Sequence, residues 1–360
     1  MKIVLYKDNL STGRGADHQV SVLAGGLVQR GYEVTLLTCV RCDAFSFSLD
    51  EAVKVRFVER DGVRDAVQGY DVCLAAGSNE MMDLTRNGRL PSPIKTVVLL
   101  LTSPKGLFKR KRFIRNWRIR RSLNRADAAV LLSAAYERDF RCAARQPATR
   151  VIGQWPDIAP PPETLASAER PKVLVYPAAL NRLKNQELLI RAFALLAPRF
   201  PDWELHLYGV AKNDYGPQCE ALVKALGLAS SVRFCGFTDD LPKMYAQASV
   251  LAFPSLLEGF PLTMLEGGLY GLPTVATEAL QGVHDMVRHG VTGLVTGATP
   301  AAFAEGLGQL LSDAALRCRM GAAARERVQD EFSSVHILDC WEALLKDVVA
   351  GRVQKGTGKR

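Results

Sequence analysis

Two glutamates, Glu258 and Glu266, stand eight residues apart in "FPSLLEGFPLTMLEGG", with Gly-Phe-Pro between them. The preceding run "SVLAFPS" reads as a strand, and Pro261 suits the first position of a helix. Glu258 then lies at a strand's carboxyl edge, and Glu266 lies about one and a half turns into the helix. The first-turn N–H groups around Phe260, Leu262 and Thr263, with the positive end of the helix dipole, favour a phosphate. Gly259 allows a ligand close to the backbone. The same spacing also arises on solvated helix surfaces, so spacing alone leaves both readings open.

A second chemical group is Lys184 in "YPAALNRLKNQELLIRAF". A strand ends at Ala178–Ala179, and a loop brings Lys184 to the start of a helix near Asn185. An ammonium there can neutralise a departing diphosphate, or it can simply lie over the sheet edge. A third feature is the loop "STGRGADHQV", where Gly13 and Gly15 follow the first strand. The third glycine of a dinucleotide fingerprint is missing, so this G-x-G is a weak signal that also suits an ordinary turn.

The elements that must position these groups follow from apolar patterning. "KIVLY", a polar loop, a helical repeat ending at Gly31 and "EVTLLT" form a βαβ unit, which implies a parallel sheet. Short apolar runs continue the theme at "VKVRFV", "DVCLAAG", "TVVLLL", "DAAVLLS" and "RVIGQW". Proline-rich residues 155–171 read as a stiff linker. Strands at "KVLVYPA", "ELHLYG", "VRFCGF", "SVLAFPS", "PTVAT" and "GLVT" then alternate with helices, ending in two C-terminal helical stretches. The expectation is α/β: domains at 1–154 and 172–333, whose carboxyl sheet edges face a central cleft.

Composition narrows the class. At 360 residues with 48% hydrophobic content, the chain is long enough for two buried cores. No apolar run reaches the roughly 18 residues that span a bilayer, and "MKIVLYKDNL" reads as a first strand rather than a secretory segment. Eight scattered cysteines fit a reducing cytosol, with Cys39 and Cys42 only a weak C-x-x-C signal. The five histidines do not cluster, so no metal site is expected. Net charge is +9, and residues 105–125 carry ten Lys or Arg with no acid. Phe108, Phe113, Ile114 and Trp117 interleave with those cations. A nucleic-acid arm and a solvated helix both compete for this segment, but cations with interfacial aromatics best fit an anionic membrane surface.

The stretch "SLLEGFPLTMLEGGLYGLPTVAT" resembles the E-x7-E motif of retaining GT-B glycosyltransferases, the group 1 or family 4 type. "VRFCGFTDDLPKMYAQASVLAFPS" and "GVHDMVRHGVTGLV" resemble its flanks. The resemblance implies a GT-B fold of two Rossmann-like doubly wound domains, with a C-terminal helix near 334–350 returning to the first. It implies that Glu258 faces the transferred sugar, Glu266 binds ribose hydroxyls, and Lys184 stabilises the diphosphate. Gly15, with Arg14 beside it, would close over the diphosphate through backbone N–H groups, and Gly236–Phe237 would form the base pocket. Two departures stand out: Ala179 occupies the family's arginine position, for which Arg182 is expected to compensate, and Thr102–Ser103 occupy the place of a frequent histidine. His18 reads as a helix-start residue rather than its substitute.

The implied function is metal-independent, retaining transfer from a nucleotide-diphosphate sugar to a hydroxyl of a glycolipid or lipid-linked oligosaccharide, in cell-surface polysaccharide or lipopolysaccharide synthesis. No cofactor and no nucleic-acid partner are expected. The expected location is cytoplasmic, peripheral on the inner face of the membrane. A sugar-nucleotide epimerase of the same fold and a non-catalytic polysaccharide-assembly partner are the alternatives.

Overall fold

The structure, a computed structural model, describes residues 1–10, 15–41, 49–90, 93–104, 107, 113–162, 170–211 and 213–353. The chain divides into two compact units, Met1–Gln154 with Ser334–Arg360, and Trp155–Ser333.

The first unit runs β1 (Lys2–Tyr6), α1 (Gly15–Gln29), β2 (Glu33–Thr38), β3 (Lys54–Phe57), α2 (Val63–Ala66), β4 (Val72–Ala75) and α3 (Ser78–Thr85). It continues with β5 (Lys95–Leu100), α4 (Phe113–Leu123), β6 (Ala128–Leu131), α5 (Glu137–Ala143) and β7 (Ala148–Val151). Among the described residues its sheet has seven parallel strands in the order β3-β2-β1-β4-β5-β6-β7. The central strands are buried on both faces, which is why they read as unbroken apolar runs.

The second unit runs β8 (Val173–Pro177), α6 (Gln186–Leu196), β9 (Glu204–Tyr208), α7 (Tyr215–Ala225), β10 (Val232–Gly236), α8 (Leu241–Ala246) and β11 (Val250–Phe253). It then has α9 (Leu262–Leu269), β12 (Thr274–Thr277), α10 (Val283–Met286), β13 (Gly293–Thr296), α11 (Pro300–Ser312) and α12 (Ala314–Glu331). Its parallel strands order as β10-β9-β8-β11-β12-β13. The chain closes on α13 (Ser334–Val349), which belongs to the first unit. There α13 buries Ile337, Leu338, Trp341, Leu344, Leu345 and Val348, and Asp339 takes Arg30 of α1 at 2.7 Å.

Several boundaries differ from the sequence reading. The strand expected at "RVIGQW" lies earlier, because Ala148–Val151 pair in register with β6. Three helices close the chain instead of two. Asp313 is extended and its side chain accepts from Leu316 N, so it ends α11 and caps α12. The described ends of the proline-rich stretch pack on the second unit. Ala159 O accepts from the Tyr270 hydroxyl at 2.9 Å, and Pro171 O from the Ser249 hydroxyl at 2.6 Å.

Candidate active site

In the second unit, chain order reverses between β8 and β11, the place where open parallel sheets leave a crevice at their carboxyl edge. Lys184 follows β8 and Glu258 follows β11. The Lys184 Nζ lies 2.6 Å from both carboxylate oxygens of Glu258. Both side chains are largely buried, at 26% and 12% exposure. Residues 74 apart in sequence thus form one charged pair at the switch point.

The loop that carries Lys184 is stiffened locally. The Asn181 side-chain oxygen accepts from Leu183 N at 3.0 Å and Lys184 N at 3.2 Å, an Asx turn. Asn185 then adopts the left-handed conformation, φ 56°, and α6 starts immediately after it. Among the described residues it is the single non-glycine with positive φ, and asparagine tolerates that region better than most residues.

The two site loops are joined from beneath. The Tyr176 hydroxyl donates to Lys184 O at 2.8 Å and lies 2.7 Å from Ser255 Oγ. A phenol has one proton and a carbonyl only accepts, so Ser255 is the donor in the second bond. Leu256 N also donates to Leu183 O at 2.9 Å. Tyr176 is fully buried, and burial, with Glu258 nearby, drives its phenol well above the ordinary range. It therefore remains a neutral donor.

Glu266 is the fifth residue of α9. Its Oε2 accepts from the Tyr245 hydroxyl at 2.6 Å. Tyr245 is likewise buried, with its phenol raised by burial first and by Glu266 second, while Thr263 also hydrogen-bonds it. Arg170 donates to the carbonyls of Tyr245, Ala248 and Tyr270, so one half-buried guanidinium closes the carboxyl ends of both α8 and α9. A Cβ on Gly267 would come within 3.0 Å of Leu251 on β11, and one on Gly268 within 3.0 Å of Val328 on α12. Helix α9 is clamped on two sides, and Glu266 is set by that clamp.

The helix begins one residue later than the sequence suggests. Pro261, at φ −82° and ψ 82°, forms a tight three-residue turn that directs the Leu262 N–H to Phe260 O at 3.0 Å. The Leu262 N–H, expected to face a ligand, is thereby turned inward. Gly259, Phe260 and Thr263 remain half-buried around that turn, and no side chain caps the helix.

The remaining expected residues are dispersed. The Arg182 guanidinium lies on α7, 5.6 Å from the Tyr215 ring centre and bonded to Gln218 at 3.1 Å. Gly236 ends β10 with φ 68° and its carbonyl accepts from Gly209 N, while Phe237 is 77% exposed. Gly15 opens α1 in the first unit, where a Cβ would meet open space. Arg14 lies outside the described residues, as do 105, 106 and 108–112 of the basic segment. Ser103 is buried, Thr102 is exposed, and His18 is half-buried on α1.

The first unit carries its own polar cluster at the switch between β1 and β4. Lys7 pairs with Glu80 at 2.8 Å, Arg60 pairs with Asp8, and the Tyr6 hydroxyl donates to Asp83 at 3.0 Å. Burial raises Asp83 above the usual carboxylate range, and raises Tyr6 further above its own. Among the described residues no three His, Cys, Asp or Glu side chains gather as metal ligands. No described helix is long and apolar enough to cross a membrane.

Sequence reasoning missed Tyr176, Ser255, Tyr245 and Arg170. In sequence the tyrosines read as ordinary core aromatics on a strand and a short helix. The one available signal was Asn181, placed two residues before Leu183, the spacing of an Asx turn that leads into Lys184.

Residues 161–327 match the family model for glycosyl transferases group 1. An exopolysaccharide phosphotransferase of Streptomyces coelicolor is 32% identical over 208 residues, covering 55% of this chain and 21% of that protein. A D-inositol 3-phosphate glycosyltransferase of Corynebacterium urealyticum is 37% identical over 162 residues, covering 42% of this chain and 38% of that protein. The alignments therefore take in well under half of those relatives' own length. HepE of Anabaena, solved in complex with UDP, superposes with a TM-score of 0.80 at 20% identity, over 96% of this chain and 100% of that one. The two parallel-sheet units thus have the GT-B fold, and residues 161–327 are similar to the glycosyl transferases of group 1.

Proposed function

We propose that the chain transfers a sugar from a nucleotide-diphosphate sugar to a hydroxyl acceptor with retention of anomeric configuration. The observation that carries this reading is the Lys184–Glu258 pair beside the start of α9, inside the matched family domain. HepE, which shares the fold, holds UDP.

In the donor complex the Lys184 ammonium exchanges Glu258 for the diphosphate, where negative charge grows as the glycosidic bond breaks. Glu258, released, orients the sugar hydroxyls. Glu266 accepts from the ribose cis-diol while Tyr245 fixes its other oxygen. The anomeric carbon–oxygen bond breaks with its electron pair leaving on the diphosphate. The acceptor oxygen adds from the same face, and its proton passes to the departing phosphate. Lys184 and the N–H groups of α9 supply the charge stabilisation, so the reaction needs no metal ion. Gly15 and Arg14 add backbone and cationic contacts to the diphosphate, Gly236 and Phe237 border the base, and Arg182 contributes at longer range.

The acceptor is a glycolipid or lipid-linked oligosaccharide on an anionic membrane surface at the cytoplasmic face. Supporting this, α4 exposes Phe113 at 80%, Ile114 at 78% and Trp117 at 58% beside Arg118 and Arg121. Such a strip seats aromatics among headgroups while its cations meet anionic lipid.

The test is a thermal-shift screen of UDP, GDP, ADP and their sugars, followed by radiolabelled donor with lipid extract. One nucleotide should raise stability by about 2.7 kcal/mol at a hundred-fold excess over Kd, and label should enter the lipid phase. Released epimer without transfer, or no nucleotide binding by calorimetry, overturns the reading.

A further inference from the structure

The amino-terminal edge of the first unit's sheet holds a feature the transfer reaction does not use. A concavity of about 210 Å³ opens there, lined by Arg89, Lys95 and Arg125 over the buried apolar side chains of Leu90 and Ile94. Its one acidic lining residue, Asp127, spends Oδ2 on Thr96 N at 2.9 Å and Thr96 Oγ1 at 3.2 Å. Arg64 and Arg121 stand close enough to Arg125 that they, with Arg89, depress its basicity after burial has begun to do so. Among the described residues, none of these five cations has a carboxylate oxygen within 4.0 Å. Nearby Arg86, by contrast, pairs with Asp61 at 2.9 Å.

Part of the cluster has a structural task. Arg64 donates to the carbonyls of Leu84, Gly88 and Arg89, and Arg125 donates to Thr85 O, so these two close the carboxyl end of α3. That task leaves Arg89 and Lys95 unexplained. Among the described residues, the Arg89 guanidinium makes one hydrogen bond, a long one of 3.4 Å to Asn124 O. Three cations around a single carboxylate leave the concavity with a net positive charge, which an oxyanion offsets. Guanidinium groups match phosphate oxygens in planar, charge-assisted pairs.

We propose that this concavity binds a phosphate ester: Arg89, Lys95 and Arg125 take the oxygens, and Leu90 with Ile94 take the apolar part next to the ester. Its volume suits one phosphate group with a short substituent, not a nucleic-acid strand. Two sources share this chemistry, a soluble phosphate ester and a phospholipid headgroup. Its lining residue Arg125 lies two residues beyond the carboxyl end of α4, the helix that carries the exposed Phe113, Ile114 and Trp117.

The experiment titrates the full chain with glycerol phosphate by calorimetry, in chloride buffer of constant ionic strength, with the nucleotide that the thermal-shift screen selects present to occupy the donor site. The parent binds, and Arg89→Ala/Lys95→Ala binds more than about ten-fold more weakly, the loss of two charge-assisted contacts. Neither side chain caps α3, so circular dichroism and affinity for the selected nucleotide stay at parent values. Lys95→Glu, which keeps every arginine, gives the same loss. Equal binding by parent and both variants, or binding matched by chloride alone, overturns the proposal. Co-flotation with phosphatidylcholine vesicles containing phosphatidic acid then separates the sources. Recruitment of the parent but not of the double variant assigns the site to a headgroup. Equal recruitment, with glycerol phosphate binding lost, assigns it to a soluble ester.

Discussion

Both units place ionic groups at the same point of the same topology, yet they treat them differently. In the first unit, Lys7–Glu80, Arg60–Asp8 and Tyr6–Asp83 are spread over β1 and the segments after β1, β3 and β4, and Arg60, 3.7 Å from Asp83, links the last two pairs. In the second, one pair, Lys184–Glu258, stands on a neutral buried support of Tyr176 and Ser255. The second arrangement isolates a single cation and a single carboxylate and fixes their backbones, which suits a site that must exchange one partner for a ligand. The first spreads its charge over several linked contacts.

The comparison can be broken most sharply at the charged pair. Glu258→Ala and Lys184→Ala should each lower kcat by about 10²–10³, the scale of removing one preorganised electrostatic group, measured with labelled donor. Loss of less than ten-fold from both would remove the distinction between the units. Glu266→Ala comes next. It should weaken nucleotide binding by about 1.5–3 kcal/mol, the worth of hydrogen bonds to a charged group, with kcat less affected, by calorimetry and steady-state kinetics.

Smaller effects sharpen the contrast. Tyr176→Phe removes only a hydroxyl and should cost about 1 kcal/mol in stability while lowering kcat several-fold at unchanged nucleotide affinity. Unaltered kcat would make Tyr176 a core residue and nothing more. Lys7→Met tests whether the first unit takes the acceptor: a raised acceptor KM at parent donor affinity is the expected outcome, and a change in donor affinity would count against it. Arg182→Ala should have the smallest effect, because its guanidinium is held by Tyr215 and Gln218 on α7. A nucleotide affinity loss of less than about two-fold is expected for such an exposed cation, and a larger one would restore it as the substitute for the arginine missing at Ala179.

The legible parts of the molecule were those with local signatures. Parallel strands buried on both faces announce themselves as apolar runs, and the Gly-Phe-Pro turn announces the start of α9 to within one residue. The charged members of the site were legible because Lys184 and the two glutamates lie in loops and a helix start bounded by strong strand signals. Their supports were not. Tyr176 and Tyr245 are distinguished from other buried aromatics only by where their hydroxyls end, which depends on contacts across 79 and 21 residues. The meeting of Lys184 with Glu258 is likewise a property of strand order, which periodicity does not encode. The split at Asp313 was missed because an acidic cap inside a long helical pattern resembles an ordinary surface residue.

Helix α13 has a consequence for synthesis. Its six buried apolar residues complete the core of the first unit, but they leave the ribosome after the whole of the second. The second unit is contiguous and can fold as soon as residue 333 emerges, whereas the first waits with the α1 flank uncovered. The nascent chain therefore finishes its later half before its earlier one, reversing the usual vectorial order. During that interval the exposed α1 surface is the segment for which a chaperone, or premature aggregation, would compete.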